Sequence, residues 1–118
     1  MYEYNAKLTK IVDGDTIDVE IDLGFSIWHK ARVRMVGINA PETRTRDLEE
    51  KKLGLKAKAR LKELLSKEII LKTQLDKKGK FGRVLGEIFV NKTNINKQLL
   101  KEGVVRKYDW KQLRQRSR

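Results

Sequence analysis

The chain has 118 residues, no cysteine, one histidine and a formal net charge of +12, which excludes a disulfide-stapled scaffold and a zinc site of the Cys/His type. At this length one domain is expected, burying roughly two-thirds of the surface that the unfolded chain exposes. No stretch approaches the ~20 consecutive apolar residues of a membrane span, and the opening MYEYNAK lacks the apolar core of a signal peptide.

From this a cytoplasmic protein without a membrane partner is expected, with a secreted form whose signal has been removed as the alternative; monomer is the default, since the sequence does not report oligomeric state. The charge is unevenly placed: residues 1–47 carry seven Lys and Arg against eight Asp and Glu, whereas residues 48–118 carry 21 against 8. A slightly acidic first part joined to a strongly basic remainder suits a cation site set in a phosphate-attracting surface. A solvated, lysine-rich surface explains the charge by itself equally well.

In chain order, residues 4–12 alternate loosely and end in Lys10-Ile11-Val12, a first strand. Asp13-Gly14-Asp15 is a turn, and residues 16–21 alternate with period two, which places Ile17, Val19 and Ile21 inward. Leu23 to Trp28 is a second turn, unusually apolar, in which Trp28 is expected to pack. Residues 30–37 return as a strand with Ala31, Val33 and Met35 on one face, so Arg34 points away from that face. The strand runs into Asn39-Ala40-Pro41-Glu42, where Pro41 stops it.

Residues 43–52 are charged and aperiodic and are expected as a mobile loop. Leu53, Ala57, Leu61, Leu64 and Leu65 share a helical face that ends near Lys67. Residues 68–75 form a fourth strand, 76–80 a turn and 84–90 a fifth strand. Thr93 or Asn94 caps a second helix that carries Ile95, Leu99 and Leu100 and stops at Gly103. The predicted fold is α+β, mainly β: a five-stranded OB-type barrel with two to three helices. It occupies residues 1–110, and 111–118 form a basic tail.

Three pieces carry chemistry: Val12-Asp-Gly-Asp-Thr16, Arg34 with Asn39-Ala-Pro-Glu42, and Phe81-Gly-Arg83. Singly, each is an ordinary turn or loop. Together, in this order and around an OB-like strand pattern, they make the chain resemble the staphylococcal nuclease family over roughly residues 5–110. The resemblance implies a Ca2+-dependent endonuclease on single-stranded DNA or RNA, cutting the 5′ P–O bond to leave 3′-phosphates. It implies Asp15, Asn39 and the Ala40 backbone carbonyl as metal ligands and Glu42 as general base. Arg34 and Arg83 would grip the phosphate, Lys80 would touch the nucleotide, and Tyr108 and Trp110 would stack near the base. The family normally has aspartate where this chain has Asn39, which implies weaker Ca2+ binding because affinity follows ligand charge. The competing reading is a non-catalytic OB-fold module that binds single strands through a basic groove and stacked aromatics. The carboxylates favour the enzyme, since a pure binder has no use for groups that repel phosphate.

Overall fold

A computed structural model describes residues 2–74 and 83–107, with only the backbone described at Arg83. β1 (Glu3–Asp13) turns at Gly14-Asp15 into β2 (Thr16–Asp22), and β3 (Trp28–Met35) lies antiparallel to β2. β1 pairs on its other side with β5 (Glu68–Gln74), which pairs antiparallel with β6 (Arg83–Val90). β6 then runs parallel to β3, from Arg32 opposite Arg83 to Met35 opposite Gly86. That last pairing closes five strands into the expected barrel. Two register shifts in β1, between Leu8 and Lys10 and between Ile11 and Asp13, bend it from one neighbour to the other.

The alternation of β2 and β3 is realised: Ile17, Val19, Ile21, Val33 and Met35 are buried and meet Leu71 and Ile88 in one core. The third strand ends earlier than expected. Gly37, in the left-handed region at φ 79°, turns the chain after Met35. A separate short strand, β4 (Ile38–Asn39), follows and pairs with β8 (Arg106–Lys107).

The apolar turn does not bury its side chains. Gly24, Phe25 and Ser26 all have positive φ, and Phe25 is 99% exposed. Trp28, expected to pack, remains partly exposed, with the Lys7 ammonium 4.7 Å from its ring centre.

Helix α1 (Leu48–Leu64) starts five residues before Leu53, so 48–52 are helical rather than loop. Asp47 caps it, accepting from the Glu49 and Glu50 amides, and both glutamates complement the helix N-terminus. Its buried face is Gly54, Ala57 and Leu61, whereas Leu53 stays exposed. β7 (Thr93–Asn94) leads into α2 (Ile95–Glu102), capped by the Asn94 side chain and stopped at Gly103 with φ 77°. Asn96 on α2 is 3% exposed and fully used. It donates to the Val36 and Gly86 carbonyls and accepts from the Ile88 amide.

Arg60 of α1 joins Glu102 of α2 through two hydrogen bonds of 2.5 and 2.9 Å, and Gln98 donates to the same carboxylate. The Arg60 guanidinium, then Gln98, holds the Glu102 carboxyl down at about 2 against an ordinary 4.5. A carboxyl depressed in the folded state adds stability above its unfolded pKa and loses it as pH falls through the folded value. The pair therefore contributes fully above about 4.5 and fades toward about 2. Urea unfolding of Glu102→Gln should show a shallower acid loss across that window than the native chain; parallel profiles would remove the pair from the acid response.

The predicted turn at 76–80, Leu75, and the tail from 108 onward lie outside the described residues. Among the described residues there are two helices, and none is long and apolar enough to cross a membrane.

Candidate active site

Asp15 is the second residue of the two-residue β1–β2 turn. Its carbonyl accepts from the Met35 amide at 2.8 Å, which ties the turn to the end of β3. Its carboxylate is nearly buried and well supplied with donors. Thr16 Oγ1 donates to Oδ1 at 2.8 Å, the Ala40 amide donates to Oδ2 at 2.8 Å, and Arg34 Nη2 lies 3.4 Å from Oδ2. A carboxylate this buried needs partners of that kind.

Arg34 reaches the group from β3, where it sits opposite Thr16. Its Nη1 donates to its neighbour's carbonyl, Met35 O, at 2.8 Å, and Nη2 donates to Asn39 Oδ1 at 3.3 Å. Asp15, Arg34, Asn39 and Ala40 thus form one cluster joined by hydrogen bonds and an ion pair, although they come from three separate elements. The expectation that Arg34 leaves the Val33 and Met35 face agrees with this. The two apolar side chains are fully buried while the guanidinium turns to Asp15.

Glu42 is exposed two residues beyond Ala40. With Asn39, Ala40 and Pro41 it lines a cleft of about 710 Å3. The first turns of α1 and residues 102–106 complete the lining, so Glu49, Glu50, Lys56 and Arg106 border the same space. The register of β4 and β8 puts Arg106 directly opposite Asn39. Arg83 opens β6 opposite Arg32, on the strand that flanks Arg34; its side chain lies outside the described residues, as do Lys80, Tyr108 and Trp110.

Two oxygen donors, Asp15 Oδ2 and Asn39 Oδ1, each lie within 3.4 Å of the same nitrogen, Arg34 Nη2. Such a pair of hard donors suits a hard divalent cation better than a soft one. The set holds a single carboxylate, and among the described residues no group of three or more His, Cys, Asp or Glu is placed to hold a metal.

Several residues that shape the site are not conspicuous in the sequence. Thr43 Oγ1 donates to Asp13 Oδ1 at 2.5 Å, so the first aspartate of the turn anchors the Pro-Glu loop. Gly14 does not need a positive φ; it needs space, because a Cβ there would lie 2.7 Å from Ala57 Cβ and 2.9 Å from Ala40 Cβ. An isolated glycine within a helical pattern is the readable signal for Gly54, since it marks close packing.

The closed OB-type barrel thus gathers carboxylate, amide and guanidinium groups beside a cleft. The sequence profile of the family described as Staphylococcal nuclease homologue matches residues 32–118, and the chain belongs to that family. It is 35% identical to an uncharacterised protein of Methanocaldococcus jannaschii, over 89% of this chain and 59% of that protein. It is 30% identical to the thermonuclease of Staphylococcus hyicus (88% and 59%) and 33% identical to the endonuclease YncB of Bacillus subtilis (86% and 47%). The chain spans about half to three-fifths of the length of these relatives.

Proposed function

We propose that the chain is a Ca2+-dependent endonuclease that hydrolyses phosphodiester bonds in single-stranded DNA or RNA. The observation that carries this reading is the Asp15–Arg34–Asn39–Ala40 cluster at the edge of the cleft that holds Glu42, in a chain whose relatives include nucleases. Asp15, Asn39 and the Ala40 carbonyl would hold the ion. When bound, Ca2+ would screen the phosphate charge and stabilise the charge that develops as the bond breaks.

The protein's own groups do the rest. Glu42 stands exposed in the cleft and accepts a proton from the attacking water. Arg34, held at a fixed angle by the Met35 carbonyl and by Asp15, presents N–H groups to non-bridging oxygens. Arg83 does the same from β6, and Lys80, Tyr108 and Trp110 contact the nucleotide. The strongly basic second part of the chain draws the strand in, so affinity should fall steeply with salt.

The metal assignment is tested by calorimetry. Asp15→Ala removes the single carboxylate of the set and should weaken Ca2+ binding by roughly tenfold or more, whereas Asn39→Asp should tighten it by a similar factor, because affinity follows ligand charge. Equal Ca2+ affinity in the native chain and both variants would remove these residues from the metal site.

A further inference from the structure

We propose that Gly54, Asp13 and Thr43 are positioning residues: together they fix the loop that carries Glu42 against the Asp15 turn. The proposal rests on the reading of Glu42 as the general base. Its origin is a pair of contacts on opposite sides of that loop. On one side α1 passes so close that a Cβ at position 54 would lie 2.6 Å from the Glu42 carbonyl oxygen and 2.7 Å from that of Pro41. Real Cβ atoms do not approach backbone so closely, and backbone cannot swing aside as a side-chain tip can. On the other side Thr43, next in sequence to Glu42, donates to Asp13 at 2.5 Å. Asp13 is separated from Asp15 only by Gly14, whose own close approach to Ala57 seats the turn on the same helix.

α1 therefore acts as a common floor. Gly54 sets how deep the Glu42 loop lies, Ala57 sets how deep the Asp15 turn lies, and the Asp13–Thr43 bond fixes the distance between them. Helix propensity favours Ala over Gly at an interior position, so glycine at 54 runs against the local preference of the helix. The contact with the Pro41 and Glu42 carbonyls supplies the reason. Displacing a catalytic group by about 1 Å can cost on the order of 10²-fold in rate, so a single methyl group here should act on kcat.

The test uses Gly54→Ala and Thr43→Val, each alone and combined with Glu42→Gln. Cleavage of a labelled single strand is followed together with the amide resonances of Glu42 and Thr43. Gly54→Ala should lower kcat by roughly 10²-fold with little change in KM, and Thr43→Val should lower it less. Both should move the Glu42 amide resonance while leaving those of Ile17 and Val19 in place. In the Glu42→Gln background the further loss should vanish, because the group being positioned is gone.

A Gly54→Ala loss that persists in full in that background would show damage elsewhere and overturn the proposal. Should Gly54→Ala fail to fold, Thr43→Val decides by the same criteria, since it removes one hydrogen bond and adds no clash. Native-like cutting and unmoved resonances in both variants, with Glu42→Gln still slow, would sink the positioning proposal alone. Glu42→Gln cutting at the native rate would sink the general-base reading, and the proposal with it.

Discussion

Glu42→Gln is expected to slow cleavage of a single strand by roughly 10²–10⁴-fold, the usual contribution of a general base, without lowering the unfolding midpoint. The reason is local. Glu42 is exposed, and its side chain fills no part of the core. The backbone beneath it is fixed by other groups: the Ala40 amide by Asp15, Thr43 by Asp13, and the Pro41 and Glu42 carbonyls by the close approach of Gly54. Glutamine keeps the shape and the hydrogen-bonding reach of glutamate but does not take up a proton. A native rate in this variant, measured with a folded protein, would move the base to another residue of the cleft.

The largest expected effect on stability belongs to Asn96→Leu. Leucine has a similarly branched but bulkier side chain with no polar atoms, so the Ile88 amide and the Val36 carbonyl lose the partner that Asn96 provides. Each buried orphan costs about 1–3 kcal/mol, which puts the loss for the two at about 2–6 kcal/mol, readable as a lower urea midpoint at unchanged slope. The effect should reach the site as well. Val36 ends the run that β3 begins, one residue before the Gly37 turn that delivers Asn39 and Ala40. Midpoints that agree within error would mean that water replaces the amide there, and that Asn96 does not stitch α2 to the barrel.

The sequence made the barrel legible because period-two alternation in residues 16–21 and 31–35 leaves one inward face, and Asp13-Gly14-Asp15 between the first two strands makes a hairpin turn. The start of α1 was less legible. Asp47 with Glu49 and Glu50 has the pattern of a capped, acidic first turn, but Leu48 and Leu53 are exposed, so apolar periodicity does not reveal those residues. β4 and β8 are two residues each and pair across a long sequence separation, which no local pattern reports.

Within the site, the motifs located Asp15, Arg34, Asn39 and Ala40, which the fold brings into one network. They did not reveal what holds the network together. Thr43–Asp13 is a contact across thirty residues, and Gly54 matters through the absence of a side chain. Asn96 stands outside the Ile95, Leu99 and Leu100 face that periodicity picks out, and the convergence of α2, β6 and the end of β3 shows its three hydrogen bonds.

In the proposed function the cluster around Asp15 is a metal-dependent cutting site and not only a place where a single strand rests. The most direct measurement is cleavage of a labelled single-stranded DNA by the native chain in Ca2+, in Mg2+ and in EDTA. Cutting in Ca2+ that EDTA abolishes is the expected result, and it would show that an amide at position 39 is tolerated. Binding without cutting in any of the three would contradict the claim, leaving a single-strand binding module in which the missing charge at Asn39 is the first cause to test.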